Sequence, residues 1–81
     1  MNLSELRKGD KGIITKINAG KNLKTRLYSF GIYRGAEFEI MACSLARNTL
    51  ELKVGNSMVA LRRGEVEKIE VEKREEKKSE E

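Results

Sequence analysis

Eighty-one residues make one domain at most, and a chain this short hides only about 60% of its unfolded surface on folding. With 38% apolar residues, one cysteine and no histidine, it can add neither a disulfide framework nor a tetrahedral metal site of N and S ligands to that modest core. A formal charge of +4 admits nucleic acid, anionic lipid or an acidic protein face as partner and selects none of them.

Stability therefore has to come from closing a small sheet on itself, which also removes exposed strand edges. The lone Cys43, and an opening Asn2-Leu3-Ser4-Glu5 without an apolar leader segment, point to a reducing, cytoplasmic setting. No apolar run approaches the roughly 20 residues that a membrane helix needs.

Along the chain, Leu3 and Leu6 stand three apart ahead of Gly9 and predict a short helical turn docked on the end of the fold. Lys11–Ile17 is β-branched and flanked by glycine, a first strand. The period then changes. Leu23, Leu27 and Phe30 recur at i, i+4 and i+7, the core-facing stripe of a short helix over 22–30, with Asn22 placed to cap it. Gly31 stands where a left-handed residue ends a helix, and Ile32 beyond it can pack back on Leu27.

Gly35 permits a turn into a second strand over 36–43, where Phe38, Ile40 and Ala42 alternate with Glu37, Glu39 and Met41. Arg47-Asn48 reads as a turn before Thr49–Val54, with Leu50, Leu52 and Val54 on one face. Gly55-Asn56 is a two-residue hairpin signal, and Ser57–Arg62 its partner strand with Val59 and Leu61 inward. Arg63-Gly64-Glu65 turns the chain into a closing strand, Val66–Val71. The sum is a mainly β fold: a small SH3-like barrel of about five strands with a short helix between strands 1 and 2. Residues 1–71 form this domain and carry a net charge of +5. Residues 72–81 contain no apolar residue, so burial cannot repay their ordering entropy, and they read as a charged, solvated tail.

Catalytic chemistry has little to build on. Without histidine, a general base near neutral pH would have to be a strongly perturbed carboxylate or amine. Asp10, the only aspartate, adjoins a turn glycine. Cys43 lies in a predicted strand and reads as a small buried apolar filler. No phosphate-cradling glycine motif occurs. Glu37 and Glu39 share one strand face and serve its solvation better than they would a hard cation, which wants about six oxygens. The expectation is a protein that binds rather than catalyses, with no cofactor and no metal ligand set.

At this point the residues resemble one family. Leu3-Ser4-Glu5-Leu6, Gly9, Gly12-Ile13-Ile14 and Ile17 match the opening of FeoA domains. Arg26-Leu27, Phe30-Gly31-Ile32 and Gly35 are similar to the family's Arg-Leu, Leu-Gly-Leu and Pro-Gly helix exit, with Arg34 in the place of proline. Met58-Val59-Ala60-Leu61-Arg62 and Glu65 to Val71 are similar to its Leu-Ala-Leu-Arg and Ala-x-x-Ile-x-Val ending. Ser44 to Thr49 lacks the family's Gly-Asp-Pro-like hairpin tip. The resemblance covers residues 3–71. It implies an SH3-like barrel and a cytosolic accessory role in ferrous iron transport. The implied partner is the cytosolic part of the FeoB transporter, which carries a GTP-binding domain.

Within that frame, recognition is expected through the helix and its bordering loops. Tyr28, Tyr33 and Arg34 bracket the Gly31 exit, and tyrosine and arginine are over-represented at interface hot spots. Lys24 and Arg26 add positive charge, so the expected partner-contacting set is Lys24, Arg26, Tyr28, Tyr33 and Arg34. Arg26 borders the apolar stripe, and a structural pairing with an acid is the favoured of its two readings. Leu23, Leu27 and Phe30 are assigned to the core. Two alternatives stand beside this one. A nucleic-acid-binding barrel suits the charge, although two Tyr and two Phe offer few stacking platforms. A homo-oligomeric module would use an unclosed strand edge.

Overall fold

The computed structural model describes residues 1–44 and 48–74. Strands β1 (Lys11–Ile17), β2 (Glu37–Ser44), β3 (Thr49–Val54), β4 (Ser57–Arg62) and β5 (Ile69–Arg74) form one antiparallel sheet, ordered β4-β3-β2-β1-β5. Helix α1 (Lys21–Ser29) occupies the connection from β1 to β2, and α2 (Arg63–Val66) is a single helical turn between β4 and β5. A 3-10 turn at Leu3–Glu5 precedes β1, capped by Asn2, whose Oδ1 accepts the Ser4 N–H at 2.9 Å. This is the five-stranded, helix-interrupted barrel that the alternation of apolar residues predicts.

One apolar cluster fills the interior. Leu50, Leu52 and Val54 of β3 meet Val59 and Leu61 of β4, Ile69 and Val71 of β5, and Ile14, Phe38 and Ile40. Leu3 and Leu6 join it from the 3-10 turn, as their spacing predicts. Among the described residues no polar or charged side chain is buried. The inside of the barrel is therefore packing alone, and whatever the protein recognises meets its outside.

β3 and β4 pair without a break from Thr49↔Arg62 to Val54↔Ser57. Their turn has a positive φ of 60° at Gly55, its first central residue, the II′ geometry whose twist suits flanking strands. The expected closure of the sheet on itself is not made by strand pairing: β4 and β5 remain its two edges. α2 packs on β3, β4 and the 3-10 turn, and that turn packs on β5, so helical turns rather than another ladder cover the seam. The outer edge of β5 is also occupied: the Val71 N–H donates to the Met1 carbonyl at 2.7 Å.

Several local expectations change. The expected turn at Arg63-Gly64-Glu65 is wound as helix α2 and takes in Val66, expected as strand, because the Glu65 carboxylate accepts the Arg62 N–H at 3.0 Å and starts a helical turn. β5 consequently begins at Ile69 and runs through Arg74, pairing Glu72, Lys73 and Arg74 with Ile13, Gly12 and Lys11. These three residues, read as tail from their lack of apolar character, belong to the sheet, and ladder hydrogen bonds order them where burial does not. Residues 75–81 and the expected turn residue Arg47 lie outside the described residues. Helix α1 starts at Lys21, with Gly20 as its N-cap and no side-chain cap, so Asn22 does not have the capping role.

Two β-bulges break the simple alternation. On β2 the pairing passes from Ile40↔Leu52 to Ala42↔Glu51, which leaves Met41 as the extra residue. Ala42 is thereby set opposite exposed Glu51, and Cys43 opposite buried Leu50. Even so, Cys43 is exposed and not the buried filler expected, because it borders a shallow depression lined also by Leu6, Leu50 and Val66. On β1 the pairing passes from Ile14↔Val71 to Lys16↔Glu70, so Thr15 is the extra residue. Ile17 can then return to the core side, while Thr15 and Lys16 both stay exposed.

The end of α1 is set as the sequence predicts. Ile32 N–H donates to the Leu27 carbonyl and Gly31 N–H to the Tyr28 carbonyl, both at 2.9 Å, the paired bonds of a Schellman motif. Gly31 has φ +88°, and Leu27 and Ile32 are both fully buried. Gly31→Ala should lower stability by about 1–2 kcal/mol, the usual cost of a Cβ in the left-handed region. A fall in the urea midpoint at unchanged slope is the expected signature. Phe30, assigned to the core by its spacing, is instead 38% exposed, because the helix has already ended and it occupies the C-cap.

Candidate interaction site

α1 is a poor helix by itself. It has nine residues, no side-chain cap and a lysine in the first turn, where the helix dipole favours an acid. Its attachment comes from Leu27, with Leu23 half-buried beside the core. Residues on its other faces are left to solvent, and one of those faces overhangs β1.

Between them lies a cleft of about 490 Å³. β1 contributes Thr15, Lys16 and Ile17, which the bulge arrays along its wall. Lys24 and Tyr28, one helical turn apart and so on one face, come from α1. Ile32, Tyr33 and Arg34 complete the lining from the helix exit. That exit is itself a tight turn: the Ala36 N–H donates to the Tyr33 carbonyl at 3.0 Å, and Gly35 supplies φ +96° at the third position. Arg34 occupies the second position of this type II turn, where proline is common.

The two tyrosine rings touch, with centroids 5.3 Å apart and planes at 47°. They remain 67% and 46% exposed, unusual for large aromatic groups unless something covers them. Lys16, Lys24 and Arg34 make no ion pair or side-chain hydrogen bond among the described residues. Elsewhere Lys73 pairs with Asp10, Arg74 with Glu37, and Arg63 with Glu67, while Arg7, Lys8, Lys21, Lys53 and Lys68 are unpaired too among the described residues but lie outside the cleft lining. No carboxylate lines the cleft. The site is thus an apolar floor with two aromatic groups and unneutralised positive charge around it, suited to binding.

Four of the five residues singled out from the sequence, Lys24, Tyr28, Tyr33 and Arg34, therefore meet in one cleft. Arg26 does not join them. It projects from the opposite flank of α1, where Nη1 donates to Glu65 Oε2 at 2.7 Å and the guanidinium lies 5.7 Å from the Phe30 ring centroid. Since Glu65 also accepts the Arg62 N–H, one carboxylate both starts α2 and ties α1 to it. Thr15, Lys16 and Ile17 were not anticipated. A signal was present: Ile14 and Ile17, three apart in a strand, violate the two-residue period that an unbulged strand keeps.

Among the described residues, no group of three or more His, Cys, Asp or Glu side chains lies close enough to hold a metal ion. No helix there is long and apolar enough to cross a membrane.

Known proteins share this fold. The family model for the FeoA domain matches residues 1–73. A Campylobacter jejuni protein assigned as Fe(2+) transport protein A is 41% identical over 71 residues, covering 88% of this chain and 96% of that protein. In Porphyromonas gingivalis, a protein named as a fusion of Fe(2+) transport protein A with the Fe(2+) transporter FeoB is 31% identical over 72 residues, 89% of this chain but 8% of its own length. The crystal structure of an iron uptake regulatory protein, FeoA, has a TM-score of 0.80 at 30% identity, covering 90% of this chain and 95% of that one. With a family match over nearly the whole described fold and relatives of this identity, the chain belongs to the FeoA domain family.

Proposed function

We propose that this protein is a cytoplasmic accessory factor of ferrous iron transport that acts by docking on the cytosolic, GTP-binding part of an FeoB-type transporter. The observation that carries this reading is the relative in which an FeoA-like stretch and FeoB share one polypeptide. A covalent link holds two modules at about millimolar effective concentration, so a weak mutual contact suffices there. On a separate chain the same association has to be supplied by the surface itself. The cleft between β1 and α1 is suited to that, with exposed Tyr28 and Tyr33 among cations that no internal acid neutralises. The fully apolar barrel interior offers no competing site for chemistry, and the proposed role is regulation or assembly through contact.

The test is calorimetric titration of the full chain into the purified cytosolic domain of the transporter, in GTP-analogue, GDP and nucleotide-free forms. Tyr33→Ala and Arg34→Glu should each weaken association by at least about tenfold, the range of interface hot spots. Both side chains are exposed, so thermal stability should remain that of the parent. Absence of association in every nucleotide state would remove the proposal.

A further inference from the structure

We infer that the β1–α1 cleft takes an acidic polypeptide segment that inserts one apolar side chain between Tyr28, Tyr33 and the Ile17–Ile32 floor. The inference rests on the docking role proposed above and specifies the chemistry of the docked element. Its first support is charge. Lys16, Lys24 and Arg34 gather at one cleft without a carboxylate partner among the described residues; Arg7, Lys8, Lys21, Lys53 and Lys68 are also unpaired there, but none of them lines it. Unpaired cations at a concavity with no acid in its lining create a positive potential, which complementary carboxylates on an incoming chain offset.

The second support is shape. The fully buried Ile32 and half-buried Ile17 line the same cleft as two tilted rings that are open to solvent. Such a place accepts one aliphatic or aromatic side chain, and covering the rings removes apolar area from water. A single nucleic-acid strand wants a continuous basic track with successive, separate stacking platforms, and here the two rings lean on each other. A bilayer surface is broad and flat, whereas these residues line a hollow. Carboxylates on either side of one apolar residue match the arrangement best.

The experiment is nuclear magnetic resonance titration of the isotopically labelled full chain with four probes. These are the transporter's cytosolic domain, a synthetic acidic peptide with one central leucine, phosphatidylserine vesicles and oligothymidylate. The expected result is that the transporter domain and the peptide both shift the amides of Thr15, Lys16, Lys24, Tyr28, Tyr33 and Arg34. Lys16→Glu combined with Lys24→Glu should weaken both by at least about tenfold, and added salt should weaken the parent complex but affect the variant far less. Lys53→Glu, an exposed change on β3, should leave both within about twofold. Should the transporter domain bind while shifting other residues, the cleft assignment fails and the docking role survives. If the peptide seats in the cleft and the transporter domain does not bind, the cleft chemistry stands and the docking role fails. Vesicles or oligothymidylate shifting these amides in place of the peptide would overturn the inference in favour of that ligand.

Discussion

Replacing Gly12 by valine should destabilise the domain by about 3 kcal/mol or more, the upper range of overpacking penalties. A Cβ at this position would stand 2.6 Å from the Glu72 carbonyl oxygen and 2.9 Å from Phe38 Cζ. The ring is a side chain and can swing. The carbonyl cannot, because it belongs to β5 in a ladder registered from Lys11↔Arg74 to Ile17↔Ile69. Any relief must therefore push β5 away from β1 or displace Phe38 from the core. An 81-residue domain commands only about 4–12 kcal/mol in total, so the variant is expected to be partly unfolded at 37 °C. Urea denaturation followed by far-ultraviolet circular dichroism measures this directly. Gly64→Ala is the control, since a Cβ there meets nothing within 4 Å, and its stability should stay level or rise. A Gly12→Val midpoint equal to the parent's would refute the packing argument.

Leu27→Ala should lose about 3 kcal/mol, within the usual cost of truncating a buried leucine, and the loss should begin in one element. Leu27 is fully buried and is the residue by which α1 holds the barrel. Shortening it leaves a helix without a side-chain cap and with a lysine in its first turn, too short to persist alone. Hydrogen exchange should accordingly show amides of 24–32 opening well before those of β3 and β4. Binding to the transporter's cytosolic domain should fall with them. Tyr33→Ala, by contrast, should remove binding and leave the exchange pattern intact. Equal loss of protection in helix and sheet would mean that α1 and the barrel unfold as one unit.

Much of the fold was legible because its residues obey simple periods. Leu50, Leu52 and Val54, then Val59 and Leu61, alternate without interruption, and Gly55-Asn56 sits between them. Gly31 followed by Ile32 foretold the helix exit, since few residues other than glycine tolerate its backbone. Misreadings occurred where a ladder, rather than a side chain, decides the outcome. Glu72, Lys73 and Arg74 look like solvated tail, yet backbone pairing with β1 makes them strand. The bulge at Met41 set Ala42, expected inward, opposite exposed Glu51, and the bulge at Thr15 built one wall of the cleft. Extra residues of this kind appear in a sequence only as a skipped beat, and their position depends on the partner strand. For the site, residue type pointed to Tyr28, Tyr33 and Arg34, but not to Arg26 and Lys24 parting to opposite flanks, which helical rotation enforces.

The way α1 is attached has a consequence for how recognition can be altered. The helix is inserted in one crossover and fastened inward chiefly by Leu27, so its solvent face contributes almost nothing to holding the sheet together. If docking uses the cleft as proposed, positions such as Lys24 and Tyr28 can be rewritten for a different partner while the barrel beneath retains its architecture. On that proposal, specificity and foldability are lodged in separate letters of this chain, and each can be retuned with little disturbance to the other.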